Sequence, residues 1–195
     1  MGKAPRALVI ALGLVWGVLV TGGALALTAN AGRGSVAERA PASWVDNPYA
    51  TRATDRATVL VFIHPHCPCS RATLRELERD LAAGAPAAVH VFFVQPRGAD
   101  SGFEKGPLWD QASAIKGVKL HVDAGGVFAA QLGATLSGHV LVFDAAGERT
   151  FAGGITPARA HEGESGARQA FIASLASDSR QATTTTFGCL LENKK

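Results

Sequence analysis

Between residues 58 and 81 an apolar run leads directly into a helical pattern, and two cysteines stand at the junction. Residues 58–63 carry no charge, which is typical of a strand buried on both faces of a sheet. The leucines that follow recur at the spacing of one helix face: Leu74, Leu77 and Leu81. A strand followed at once by such a helix predicts an α/β fold with Cys67 and Cys69 at the helix N-terminus.

The rest of the chain continues this alternation of strands and helices. Residues 88–94 repeat the buried-strand pattern, which predicts a β-α-β unit with a right-handed crossover. The further predicted elements are helices at 108–115, 127–132 and 167–176 and strands at 118–122, 139–144 and 149–151. The length of the chain leaves room for about one domain beyond its apolar N-terminal segment.

Charge and cysteine content narrow the function classes. The chain has 19 basic and 16 acidic residues, a net charge of +3. The basic residues are scattered rather than clustered, so no nucleic-acid partner is expected. Three cysteines are an odd number for an exported chain, so at least one thiol is free or shared between alternative pairs. This count does not describe a structural disulfide scaffold.

The N-terminus predicts a membrane anchor. Residues 1–6 form a short basic end, and residues 7–28 are apolar and long enough to cross a bilayer. The basic end would stay in the cytoplasm, which places the domain on the periplasmic or extracytoplasmic side of a bacterial inner membrane as a single-pass protein. Residues 29–31 also fit a signal-peptide cleavage site, but the apolar segment is longer than a typical signal core, which favours an uncleaved anchor.

The remaining chain divides into three parts. Residues 29–56 are rich in small residues and proline and are predicted to form a linker, in which Trp44, Val45 and Tyr49 can still dock on the domain. Residues 57–178 carry the strand and helix patterns of the folded domain. Residues 179–195 are predicted to be a flexible tail with Cys189 in a small apolar patch.

The residues around the cysteines predict sulfur chemistry. The N-terminus of a helix carries about half a positive charge, which favours a thiolate over a thiol. The pKa of a cysteine at such a position falls from about 8.5 to roughly 3.5–7.5. His64 and His66 immediately precede Cys67, where they can lower its pKa when protonated or ligate a metal. Pro68 suits the first turn of the helix.

Three segments resemble the membrane-tethered, extracytoplasmic branch of the thioredoxin-like superfamily: Cys67-Pro68-Cys69-Ser70 after the strand, residues 123–133, and residues 137–147. Within that branch the chain resembles the RedB-like proteins, through its HPxCPCS motif at residues 64–70, the Gly-Gly-Ile loop at 153–155 and the Phe-Gly-Cys tail at 187–189. The resemblance implies a three-layer sandwich around a central mixed sheet, with Cys67 as the nucleophile. It implies that Ser70 stands at the usual resolving position, with Cys69 one residue early.

The resemblance also marks a departure beside the penultimate strand. The family places a cis-proline there, facing the nucleophile, whereas this chain has Ser137-Gly138. We therefore expect an altered substrate edge that includes Gly138. His139 begins the strand that faces the nucleophile in this superfamily, so it is a candidate for the substrate site.

Two thiols are candidate partners of Cys67. Residues two apart on a helix point about 200° away from each other, so a bridge between Cys67 and Cys69 requires an unwound, strained helix start. Strained disulfides are oxidising and easily reduced. Cys189 can instead attack a mixed disulfide on Cys67 if the tail folds back onto the domain.

Three function classes follow from these residues. The first is a thiol–disulfide oxidoreductase that acts on a protein thiol or disulfide client without a cofactor. The second is copper binding or delivery, because thiolates with imidazoles select Cu(I). Its candidate ligands are Cys67, Cys69, His64, His66 and His139. The third is a peroxidase, which would oxidise Cys67 to a sulfenic acid.

Overall fold

The computed structural model describes residues 5–31, 34–36, 39–176 and 181–192. The chain forms two compact units, residues 1–33 and 34–195. Helix α1 (Arg6–Ala31) makes up the described part of the first unit. Its stretch Arg6–Ala29 has a mean hydropathy of 2.3 and is long and apolar enough to cross a membrane, as a signal sequence also can be.

The second unit is built on a six-stranded mixed sheet. The strands of this unit are β1 (Ser35–Val36), β2 (Ala57–Ile63), β3 (Ala87–Gln95), β4 (Val118–Ala124), β5 (His139–Phe143), β6 (Arg149–Gly153), β7 (Ala182–Thr183) and β8 (Thr185–Thr186). The order across the main sheet is β4-β3-β2-β5-β6-β7. Strand β2 runs parallel to β3 and antiparallel to β5, which in turn is antiparallel to β6.

Helices cover both faces of this sheet. They are α2 (Pro68–Ala82), α3 (Pro107–Ala114), α4 (Val127–Gln131) and α5 (Gly166–Ser174). All seven residues of β2 are buried, because its side chains alternate between two apolar clusters. Val61 packs in the cluster with α2, α3 and α5, and Phe62 in the cluster with α4. The predicted α/β fold with a central mixed sheet is confirmed.

The described part of the predicted linker over residues 29–56 is not a free tether, because Trp44 and Tyr49 dock on the domain as expected, whereas Val45 is 55% exposed. The Trp44 ring meets Phe143 edge-on at 5.3 Å, and the Tyr49 ring lies 4.9 Å from Phe128. The backbone N–H of Trp44 donates to the Gly147 carbonyl at 2.6 Å. Residues 39–56 therefore pack on the domain, because their aromatic side chains find apolar partners there.

The predicted flexible tail also differs, since residues 181–192 are paired with the domain. Strand β7 joins β6, and β8 pairs with β1 in a separate two-stranded ribbon. Leu191 is only 2% exposed and belongs to the cluster around Phe62. Some predicted boundaries cannot be compared with the structure. Most of the basic end (residues 1–4), the junction of domain and tail (177–180) and the last three residues (193–195) lie outside the described residues.

Candidate functional site

Cys67 lies at the point where β2 has ended and α2 begins. It is the N-cap of α2, with extended backbone at φ −90° and ψ 112°, and Pro68 occupies the first turn. Its carbonyl accepts a hydrogen bond from the Ser70 N–H at 3.1 Å. Cys67 is completely buried. The predicted position at a helix N-terminus is therefore where the structure places it.

The tail brings Cys189 against this sulfur. The backbone N–H of Cys189 donates to Cys67 Sγ at 3.4 Å, and its thiol also hydrogen-bonds to Cys67. The tail backbone is held on both sides of this contact. Ser137 N–H donates to the Cys189 carbonyl at 2.8 Å, and Leu191 N–H donates to the Thr135 carbonyl at 3.0 Å. Two thiols that are far apart in sequence are thus in direct contact.

Hydrogen bonds decide which of these two sulfurs carries the negative charge. Burial raises the pKa of Cys67, but hydrogen bonds from Cys189, Ser70 and the Cys69 backbone outweigh it and leave that pKa lowered. Burial, the hydrogen bond to Cys67 and the charge on Cys67 together raise the pKa of Cys189 to about 12. The proton therefore stays on Cys189 while Cys67 becomes the thiolate.

Two serine hydroxyls continue this hydrogen bonding behind Cys67. Ser70 Oγ lies 2.5 Å from Ser137 Oγ, which accepts the backbone N–H of His64 at 2.6 Å. Since the Ser70 hydroxyl donates to Cys67, Ser137 donates to Ser70, and every donor in the chain points toward the sulfur. Aligned hydrogen bonds polarise one another, which strengthens the last donor.

Cys69 is buried in the first turn of α2, close to the other two thiols. Burial and the negative charge on Cys67 raise the pKa of Cys69. The guanidinium of Arg159 opposes this shift by charge and by a hydrogen bond to the Cys69 thiol. Arg159 thus places a cation beside the thiol cluster.

The two histidines before Cys67 form a separate ring cluster. His66 N–H donates to His64 Nδ1 at 3.2 Å, and the His66 ring lies 4.5 Å from Phe103. Burial, followed by the charge of His66, lowers the pKa of His64. The donors that lower the pKa of Cys67 are Cys189, Ser70 and Cys69. The predicted activation of Cys67 by histidines therefore stays a prediction.

Ser137-Gly138 uses backbone donors that a proline would lack. Ser137 N–H holds the tail, and Gly138 N–H donates to the Phe62 carbonyl at 2.7 Å. Gly138 has a φ of +89°, and a Cβ there would lie 2.8 Å from Thr73 Oγ1, so this position requires glycine. The absence of proline is thus what lets the tail bind this edge.

His139 is buried in the sheet rather than grouped with the thiols. It pairs with Phe62 across β2 and β5, and its Nδ1 lies 3.4 Å from Thr186 Oγ1. Burial, followed by the charge of Arg149, lowers the pKa of His139 to about 4. Its buried Nε2 has no hydrogen-bond partner among the residues that the structure describes.

The candidate copper ligands do not form one group. Within the described ranges, no three His, Cys, Asp or Glu side chains form a group that could hold a metal ion. The candidate ligands are instead divided between the thiol cluster, the ring cluster at Phe103 and the buried position of His139.

Sequence reasoning did not identify two residues of this site. The sequence comparison singles out Ser137 only because it stands where the family has a proline. A serine next to a turn glycine nevertheless signals a side chain that is available for local hydrogen bonds. Arg159 lies in a polar loop after β6, where no sequence pattern indicated contact with Cys69.

Comparisons with known proteins show relatives in structure only. No protein-family model matches the chain, and no curated protein matches it. An uncharacterised conserved protein from Geobacillus kaustophilus has a TM-score of 0.58 at 15% identity, with 83% of this chain and 97% of that chain covered. A hypothetical protein from Sinorhizobium meliloti has a TM-score of 0.55 at 18% identity, with 77% and 97% covered.

A third structure is a secreted Mycobacterium tuberculosis disulfide oxidoreductase homologous to E. coli DsbE. It matches with a TM-score of 0.39 at 23% identity, over 49% of this chain and 66% of that chain, which is too weak to carry an argument. The fold rests instead on the strand order β3-β2-β5-β6 with α2 following β2. By this topology the second unit has a thioredoxin-like fold, with Cys67 at the N-terminus of the helix that follows its central strand.

Proposed function

We propose that this protein is a thiol–disulfide oxidoreductase in which Cys67 is the nucleophile and Cys189 the resolving thiol. The observation that carries the proposal is the contact between Cys189 and Cys67 Sγ, with an N to Sγ distance of 3.4 Å. This contact lowers the pKa of Cys67 and keeps a second thiol within reach of it. A lowered pKa marks a reactive cysteine.

The reaction proceeds by two thiol exchanges. The Cys67 thiolate attacks one sulfur of a client disulfide, the client S–S bond breaks, and the other client sulfur leaves as a thiolate that takes up a proton. Cys189 then loses its proton and attacks Cys67 Sγ, which releases the second client thiol and forms a Cys67–Cys189 bridge. The client gains two electrons and the protein loses two, and the reverse steps oxidise a client dithiol.

The order of these steps follows from the charges at the site. Burial, together with the hydrogen bond to Cys67 and the charge of the Cys67 thiolate, raises the pKa of Cys189 to about 12. Once Cys67 is in a mixed disulfide, it carries no charge and accepts no hydrogen bond as a thiolate. These two causes of the raised pKa of Cys189 are then lost, so the resolving thiol becomes more reactive once the client is bound.

The proposal includes the location and partners of the protein. Helix α1 anchors the chain as a single-pass protein of the bacterial inner membrane, and the domain faces the periplasm, where disulfides persist. The client is a protein thiol or disulfide, and no cofactor is needed. The Cys67-Pro68-Cys69-Ser70 motif and the Phe187-Gly188-Cys189 tail support a place among RedB-like proteins.

The test is a disulfide map of the full chain in detergent, equilibrated in glutathione buffers of graded potential. We expect a reversible Cys67–Cys189 bridge that persists in Cys69→Ser. Cys67→Ser should lose all exchange with a model disulfide, and Cys189→Ser should accumulate glutathione on Cys67. If all three thiols stay free at every potential, the proposal is wrong, and a Cu(I) titration becomes the next measurement.

A reversible Cys67–Cys69 bridge in place of the Cys67–Cys189 bridge would contradict only one part of the proposal. It would keep the oxidoreductase function and transfer the resolving role to Cys69. The matched control is Ser113→Cys, which adds a thiol on the exposed face of α3. This thiol should form no bridge with Cys67, Cys69 or Cys189.

A further inference from the structure

The nucleophile is closed off by the chain itself. Cys67 is completely buried, although a thiol that exchanges with a protein client must be reached by a second sulfur. Residues 187–191, here called the cover segment, contact it directly through Cys189. As long as the cover segment is in place, no client sulfur can reach Cys67.

The cover segment is attached along one edge by an antiparallel contact. Leu190 pairs with Leu136 in an isolated bridge, flanked by the hydrogen bonds from Ser137 N–H and Leu191 N–H. Gly188 lies directly on the backbone of Ser137, where a Cβ would overlap the carbonyl oxygen. The approach is therefore close, and glycine is the residue that permits it.

One side chain anchors this contact in the core. Leu191 is 2% exposed, whereas its neighbour Leu190 is 52% exposed. Adjacent residues of an extended segment point to opposite sides, so one leucine is buried and the other faces solvent. A short segment with a single buried side chain and few backbone hydrogen bonds belongs to the least stable parts of a fold.

We infer that the cover segment is a displaceable cover whose opening controls the access of clients to Cys67. The inference rests on the proposed function and adds its regulation. In the closed state Cys189 hydrogen-bonds to Cys67 and the site is protected from solution thiols. In the open state Cys67 can form a mixed disulfide, and return of the cover segment delivers Cys189 to resolve it.

The test compares two adjacent leucines in the full chain. Leu191→Asp removes the anchor and adds a charge that opens the cover segment, whereas Leu190→Asp places the same charge on its exposed side. The measurement is the rate of iodoacetamide reaction at Cys67, followed by peptide mass mapping at a pH where Cys67 is a thiolate. We expect an increase of at least about tenfold for Leu191→Asp and less than about twofold for Leu190→Asp.

A core variant separates local opening from loss of the whole fold. Phe171→Leu loosens the opposite face of the sheet, where Phe171 is 1% exposed. The two variants are compared under conditions where urea denaturation gives them the same free energy of unfolding. If global unfolding exposes Cys67, Phe171→Leu should then raise the alkylation rate as much as Leu191→Asp does. Equal rates in the two variants, or no increase in Leu191→Asp, would overturn the inference.

Gly188→Val provides a second route to the open state without touching the core. Its side chain collides with Ser137, so alkylation of Cys67 should accelerate in this variant as well. In both open variants the thiolate absorbance should show a raised pKa for Cys67, because the donors of Cys189 are lost. Faster alkylation together with a higher pKa is a combination that a merely more acidic thiol cannot produce.

This experiment is independent of catalysis. Alkylation requires only that Cys67 be reached, so the cover can be demonstrated even if no disulfide exchange is found. If exchange is found but both open variants alkylate at the parent rate, the proposed function stands and the cover does not.

Discussion

At the scale of single residues, the lowered pKa of Cys67 comes from thiol, amide and hydroxyl hydrogen-bond donors rather than from a nearby cation. The chain from His64 N–H through Ser137 and Ser70 ends at the sulfur, and Cys189 donates from the other side. Hydrogen bonds to a charged group are about twice as strong as those between neutral groups. Each donor should therefore have a measurable effect on the pKa of Cys67.

Replacing Ser70 should show this effect directly. In a Cys69→Ser background, Ser70→Ala removes one donor and should raise the pKa of Cys67 by about 1–2, since such a bond contributes about 1.5–3 kcal/mol. The ultraviolet absorbance of the thiolate against pH measures it. Ser113→Ala on the exposed face of α3 is the control. An unchanged titration in Ser70→Ala would remove Ser70 from the activation of Cys67.

His139 predicts a pH dependence of stability. Its folded pKa of about 4 lies below the ordinary value of 6.5, so acid protonates the unfolded chain first. The stability it contributes is complete above about pH 6.5 and is lost as the pH falls toward 4. Urea unfolding at about pH 7.5 and 5 should therefore show a loss that is about 1–2 kcal/mol smaller in His139→Leu than in the parent chain.

The comparison isolates His139 from the other titrating groups. His90, whose pKa is lowered to about 4 by burial and by the charge of His121, remains in both proteins and cancels in the difference. Equal acid losses in the parent chain and in His139→Leu would show that the buried ring titrates normally.

At the scale of elements, a buried ion cluster fixes α2 against α5. Arg168 of α5 is only 7% exposed and pairs with Glu76 at 2.9 Å and with Asp80, both on α2. Glu164 completes the set from the loop before α5. Because Cys67 caps α2, this cluster holds the helix whose N-terminus forms the site.

Removing the central cation should be costly. Arg168→Ala takes the buried cation away from Glu76 and Asp80, of which Glu76 keeps its pair with Arg79, and should lower the free energy of unfolding by about 3–5 kcal/mol. Arg75, also on α2, pairs at the surface with Glu162 of the loop before α5, and Arg75→Ala should cost less than about 1 kcal/mol. Urea denaturation measures both. Similar small losses would mean that Arg168 is not the centre of the cluster.

The elements were largely predictable from the sequence, and the site only in part. The buried pattern of residues 58–63 and the leucine spacing of α2 are local signals, so they led to the correct strand and helix. The position of Cys189 depends on backbone pairing with Thr135 and Ser137, which are distant in sequence. A polar, threonine-rich stretch gives no local sign of such pairing, which is why the sequence predicts a flexible tail and offers its return to Cys67 only as an alternative.

At the scale of the whole molecule, the two candidate bridges differ in how much chain they enclose. Cys67 and Cys189 are 122 positions apart. A cross-link over a loop of about 100 residues removes chain entropy from the unfolded state and stabilises the fold by about 4–5 kcal/mol. A Cys67–Cys69 bridge encloses almost no chain, so it adds almost no stability by this entropic effect.

The oxidised protein should therefore unfold at a higher urea concentration than the reduced protein. In Cys69→Ser, forming the Cys67–Cys189 bridge should raise the free energy of unfolding by about 4 kcal/mol. Urea titrations of the full chain in detergent, with and without a reducing dithiol, measure the difference. Cys189→Ser should show none. If oxidation leaves the unfolding midpoint of Cys69→Ser unchanged, the two thiols do not form the bridge.

If the protein acts as proposed, the length of the enclosed loop also affects which way electrons move. Stability added by a bridge lowers its reduction potential by the same free energy, and about 4–5 kcal/mol corresponds to about 100 mV for a two-electron couple. A Cys67–Cys189 bridge would thus resist reduction, whereas a strained Cys67–Cys69 bridge would be a ready oxidant. The same nucleophile would donate electrons to its client when Cys189 is its partner, and withdraw them when Cys69 is.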